Sequence, residues 1–151
     1  PQIAMLDDRR ARWRALYQGM ERGLAGVPGL RLIPRPQHED YVGSSFQFLL
    51  PGWEPERVAS FVAGAAARGV ELKWFGAAEP MGFTSRYAHW QYAKPEALPQ
   101  TDRVLAGLID MRLPLTFLPE DVDQIARIIG EEVVLAARAE ALAPVAAPAA
   151  D

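Results

Sequence analysis

Three prolines divide this chain into units. Pro55, Pro99 and Pro119 each stand at the head of a segment whose apolar residues recur every three or four positions. Proline has no N–H and holds φ near −65°, so it suits the first turn of a helix and disrupts any later one. Glu54 and Glu56 flank Pro55, and Glu120 and Asp121 follow Pro119, which sets negative charge at the positive end of each helix dipole. The segment from Pro55 to Arg68 offers Val58, Phe61, Val62, Ala65 and Ala66 as its buried stripe and stops at Gly69. The segment from Pro119 offers Val122, Ile125, Ala126, Ile129 and Val133, and the one from Pro99 offers Val104, Leu105 and Leu108. A further helix needs no proline: Ile3, Leu6, Trp13, Leu16, Tyr17, Met20 and Leu24 trace one face from Ile3 to about Ala25. Gly26, Pro28 and Gly29 end it.

Between these helices lie short stretches of strand character: Leu30 to Ile33, Ser44 to Leu50, Val70 to Phe75, and Asp110 to Thr116. The second alternates cleanly, with Phe46, Phe48 and Leu50 on one side. Pro114 places the last at a sheet edge or ends it early. The order helix, strand, strand, helix, strand, loop, helix, strand, helix predicts an α/β two-layer sandwich with helices on one face of a small sheet. One domain over residues 1–142 is expected. The run APVAAPAAD, residues 143–151, reads as a disordered tail.

Charge and composition exclude several classes. A formal charge of −3 has the wrong sign for non-specific nucleic-acid binding. No apolar run approaches the ~18 residues of a membrane span, and the opening PQIAMLDDRR lacks the pattern of a signal peptide. With no cysteine, disulfides and thiol chemistry are absent, which fits a cytoplasmic setting. No phosphate-binding glycine loop and no GxSxG elbow is present, and His38 and His89 are too isolated for a zinc site. Because the chain opens at Pro1 in residues that already read as helix, it is expected to be a piece of a longer protein.

The chemistry-bearing residues gather in GVELKWFGAAEPMGFTSRYAHWQY, Gly69 to Tyr92, where a strand opens into a loop longer than the ~12–15 residues usual in compact domains. Lys73 is either a solvent-facing strand charge or an ammonium offered to an anion. Trp74 is a core or stacking residue. Arg86, beside aromatics in a Gly/Ser/Thr-rich loop, either grips a carboxylate or phosphate through both guanidinium arms or pairs with Glu79. His89 reads as a loop histidine. Asp110 and Arg112 read as an edge salt bridge of little energetic weight. Glu56, Glu120 and Asp121 are explained by their helix starts.

The piece LDDRRARWRALYQGMERGLAGVPGLRLIP resembles the helix and strand that open the small C-terminal domain of pyridoxal-phosphate aminotransferases of the DegT/StrS type. LPQTDRVLAGLIDMRLPLTFLPEDVDQIARII is similar to that family's ending, a Leu-Pro-Leu strand leading into an acid-started helix. The resemblance spans Leu6 to about Arg138. It implies a small, mainly antiparallel sheet, a substrate-closing role, and substrate contacts from Lys73, Trp74, Ser85, Arg86, Tyr87 and His89. It implies pyridoxal 5′-phosphate held mainly by a large domain outside this chain, which also carries the Schiff-base lysine. It further implies an amino donor, a keto or aldehyde acceptor, and a homodimer. Where sugar-modifying relatives carry a His-Tyr-Pro type segment, this chain has KWFGAAEPMGFTSRYAHW, which leaves room for an amino or keto acid whose carboxylate Arg86 would hold.

Two other readings stand beside it. One is a non-enzymatic small-carboxylate-binding or regulatory α/β module. The other is a protein adaptor anchored by Trp13, Trp53 and Trp74.

Overall fold

A computed structural model describes residues 3–79, 87–92, 94 and 96–142. A 3₁₀ turn at Ile3–Met5 leads into α1 (Leu6–Leu24), followed by β1 (Arg31–Leu32), β2 (Ser45–Leu49), α2 (Pro55–Ala67) and β3 (Lys73–Trp74). After a second 3₁₀ turn at Tyr87–His89 come α3 (Pro99–Ala106), β4 (Leu108–Arg112) and α4 (Pro119–Leu142). The tail at 143–151 lies outside the described residues.

The four strands form one antiparallel sheet in the order β1-β2-β4-β3. Strands β2 and β3 therefore run parallel, joined through α2, with β4 inserted between them as in a split βαβ unit. Pleating sends Phe46, Phe48, Ile109 and Met111 to one face, where they are buried with Leu16, Tyr17, Met20, Phe61, Val122 and Ile129. Helices α1, α2 and α4 cover that face. The aromatic rings form a continuous row, Tyr41, Tyr17, Phe46, Phe48, Phe61 and Trp53, with neighbouring centroids 4.8–6.4 Å apart in tilted or edge contacts. That geometry suits ring quadrupoles as well as burial.

Helices α1 and α4 pack most closely where α1 has no side chain. A Cβ on Gly19 would lie 2.9 Å from Val122 Cγ1, and one on Gly23 would lie 2.5 Å from Ala126 Cβ. Glycines four apart on one helix thus meet small residues four apart on the other, as the i±4 ridges of packed helices require. At the start of α4, Asp121 accepts the Leu118 N–H at 2.8 Å, which satisfies one helix-end donor. The connector at residues 34–43 is tied to α1: Arg10 and Arg14 both bond Asp40, and the Arg35 guanidinium lies over the Tyr41 and Tyr17 rings.

Several sequence expectations are corrected. Strand β3 has two residues instead of the six from Val70 to Phe75, because its ladder pairs only Lys73 and Trp74. Strand β4 begins at Leu108, so that residue belongs to the sheet and not to α3. Helix α3 buries none of its residues, and Val104 is 52% exposed. Pro114 does end β4 early, but β4 lies between β2 and β3 and is no edge. The first turn of the N-terminal stripe, Ile3 and Leu6, is exposed.

Both true edges are two-residue strands, which limits the unpaired backbone available to another chain. Trp13 and Trp53 are structural. Trp13 donates to the Leu113 carbonyl at 2.8 Å, and Trp53 is buried edge-on to Phe61 with Arg57 over its ring.

Candidate functional site

The face of the sheet opposite the core is polar. Alternation places Ser45 and Gln47 of β2, Asp110 and Arg112 of β4, and Lys73 of β3 on it. Asp110 faces Gln47 on one side and Lys73 on the other, while Arg112 faces Ser45. Directly opposed residues bring their Cβ atoms to roughly 4.5–5.5 Å, so these side chains form two adjoining rows.

Asp110 is only 6% exposed, the one charged side chain in the buried class among the described residues, and its Oδ1 accepts from Ser45 Oγ. The expected Asp110–Arg112 edge salt bridge is thus replaced by a buried carboxylate held from β2. A signal was present in the sequence: an acid in the middle of the apolar run LIDMRLP. A carboxylate is rarely buried without partners.

Lys73 and Trp74 are neighbours on β3 and point to opposite faces. Trp74 pairs with Ile109 on the core side, and its Nε1 donates to the Ala106 carbonyl at 2.8 Å. That bond fastens the end of α3 to the sheet. Tyr87 works at the other end of α3: its hydroxyl donates to Asp102 Oδ2 at 2.9 Å and accepts the Leu98 N–H at 3.3 Å. Trp74 and Tyr87 therefore meet through α3, and Phe75, Gly76, Tyr87, Asp102 and Leu105 enclose a small cavity of about 140 Å³. His89 is exposed in the 3₁₀ turn. Ser85 and Arg86 lie outside the described residues.

The described residues do not fit a phosphate cradle. Every helix start carries an acid in its first turn, Asp7 and Asp8, Glu56, Asp102, and Glu120 and Asp121, and three of the four begin with proline. Negative charge and a missing N–H both work against an anion there. Neither lysine is set for a cofactor aldehyde, since Lys73 stands over Asp110 on the sheet and Lys94 is exposed. Among the described residues no cluster of three His, Asp or Glu could hold a metal, and no helix is long and apolar enough to cross a membrane.

The fold has close counterparts among solved structures. The chain superposes on an aminotransferase, TlmJ from Streptoalloteichus hindustanus, with a TM-score of 0.73 and 16% identity, covering 89% of this chain and 34% of that one. It matches 3-amino-5-hydroxybenzoic acid synthase with a TM-score of 0.66 and 19% identity, over 89% of this chain and 36% of the other. It matches DesV from S. venezuelae, solved in complex with a ketimine intermediate, with a TM-score of 0.66 and 22% identity, over 87% and 33%. The chain thus spans about a third of the length of the structures it resembles. No family model and no curated protein sequence matches it.

Proposed function

We propose that this chain is the small domain of a pyridoxal-phosphate-dependent aminotransferase of the DegT/StrS type. The observation that carries the reading is the superposition of nearly the whole chain on one third of several aminotransferases, with a TM-score of up to 0.73. The resemblance of the sequence to that family between Leu6 and about Arg138 supports the same reading. In this reading the cofactor supplies the electron sink, and a large domain outside this chain holds both it and the Schiff-base lysine. The acid-started helices and the placement of Lys73 and Lys94 agree with that division.

This chain's own part is to wall and close the substrate cleft, excluding water and orienting the amino donor and the keto or aldehyde acceptor. Lys73, Trp74, Ser85, Arg86, Tyr87 and His89 are the proposed contacts, with Arg86 gripping a carboxylate. The protein works as a cytoplasmic homodimer.

The test is borohydride trapping with pyridoxal phosphate on the polypeptide that contains this chain and its large domain. A reduced adduct on a single lysine of the large domain, and an aldimine spectrum that changes with an amino donor, are expected. Specific labelling of Lys73 or Lys94, or no aldimine at all, overturns the assignment.

A further inference from the structure

Strand β2 ends against the last turn of α3. The Leu50 N–H donates to the Gly107 carbonyl at 2.9 Å, and a Cβ on Gly107 would stand 2.5 Å from Leu50 O. The turn from β2 into α2 and the end of α3 are therefore fixed against each other. Beside them lies a cleft of about 350 Å³, a size that suits a small ligand. Arg31 lines it from β1 and Arg103 from α3, with Leu49, Pro51 and Val104 as apolar lining. Arg31 stands directly opposite Leu49 in the ladder, so the two share one face of the sheet. Val104 follows Arg103 on α3, and both are exposed. Cations and apolar groups thus meet on the same side. Asp102 and Leu105 instead border the Tyr87 cavity, so α3 separates the two spaces.

The charges of this cleft are available. Arg31, Arg103 and Glu54, which also lines it, are all exposed, and among the described residues none takes part in an ion pair. Elsewhere the fold pairs its arginines readily, as Arg10 and Arg14 with Asp40, or Arg68 with Glu131 and Glu132. Two unpaired guanidinium groups on one cleft raise its positive potential. Glu54, beside the start of α2, limits that potential. Two arginines against one glutamate leave one net positive charge, which suits a monoanion and opposes a dianion such as phosphate. The apolar lining adds a seat for a hydrocarbon body.

We propose that this cleft binds a small monocarboxylate with an apolar body, its carboxylate shared by Arg31 and Arg103 and its body against Leu49, Pro51 and Val104. A guanidinium on each side gives each carboxylate oxygen a charge-assisted hydrogen bond, which sets the orientation. The site uses none of the residues assigned to substrate above, and the proposal does not rest on the aminotransferase reading.

Calorimetric titration of the chain with benzoate tests it. Saturable binding with Kd about millimolar is expected. Arg31→Ala and Arg103→Ala each weaken binding by about tenfold or more, whereas Arg112→Ala, at the other end of β4, leaves it unchanged. All three positions are exposed, so the variants report on binding and not on folding. Benzamide, with the same body and no charge, binds more weakly than benzoate, as does inorganic phosphate. No saturation at about 10 mM, unchanged affinity in either Arg31→Ala or Arg103→Ala, or benzamide or phosphate binding as tightly as benzoate overturns the assignment. Because no cofactor is present in the titration, its failure leaves the aminotransferase reading standing, and loss of that reading leaves this one standing.

Discussion

Gly23 of α1 lies against Ala126 of α4 so closely that a Cβ on the glycine would sit 2.5 Å from the alanine Cβ. By helix propensity alone, alanine at position 23 would stabilise α1 by about 0.8–1.0 kcal/mol. Packing opposes this, because two methyl carbons cannot share that space and Ala126 has no flexible end to move. Overpacking costs about 1–3 kcal/mol, so Gly23→Ala is expected to lower stability on balance. Gly19→Ala should cost less, since its Cβ would lie 2.9 Å from Val122 Cγ1, a smaller overlap than the 2.5 Å at Gly23. Urea unfolding of the two variants decides the order.

The buried carboxylate of Asp110 depends on Ser45. Ser45→Ala removes a donor and leaves the acceptor in place, an expected loss of about 1–3 kcal/mol. Replacing both, Ser45→Ala with Asp110→Leu, removes the polar pair together and should recover part of that loss. A double variant no more stable than Ser45→Ala would show that Asp110 is satisfied by other partners.

Acid should weaken the fold at two ion-paired carboxylates. The hydrogen bond from Arg10 holds Asp40 below the usual carboxylate range, and the hydrogen bond from Arg68 does the same for Glu131. A depressed folded-state pKa means the stabilisation is present above the unfolded value and fades as pH falls through the folded one. Stability is therefore expected to hold level from neutrality to about pH 5 and to drop below about pH 4. Both pairs are exposed, so added salt should flatten the drop. At the alkaline end the sign reverses. Desolvation raises Tyr41, so the stability tied to its proton is present below the unfolded value near pH 10 and lost as pH rises past the folded one. Urea midpoints across pH, at two salt concentrations, check each arm.

Tyr87 fastens the N-terminal end of α3 through Asp102 and the Leu98 N–H. Tyr87→Phe deletes both bonds at an exposed position and should cost about 0.5–1.5 kcal/mol. Hydrogen exchange should quicken within α3 before it does in β4. Equal exchange in the variant and the parent chain would remove Tyr87 from that role.

Arg86→Ala, in the complete enzyme, is expected to lower kcat/KM by about 10²-fold through loss of a charged hydrogen-bond pair. Unchanged kinetics would take Arg86 out of the substrate site.

Local sequence marks the helices. Pro55 and Pro119 with their neighbouring acids, and Pro99, mark starts, and the period of Val122, Ile125, Ala126, Ile129 and Val133 marks the face that α4 buries. It also determined the inward side of β2, because alternation at Phe46 and Phe48 is local. These signals act within one turn or one pleat, which is why they can be read from neighbouring residues. The order β1-β2-β4-β3 could not be read that way, since Pro114 suggested an edge and the packing put β4 inside. The same holds for Asp110: its burial depends on Ser45, 65 residues away. The contact of Gly23 with Ala126 likewise exists only after distant segments meet. Tertiary structure decided these features because strand pairing and helix contact are chosen by the total area buried and the polar groups satisfied, which no short stretch of chain can fix alone.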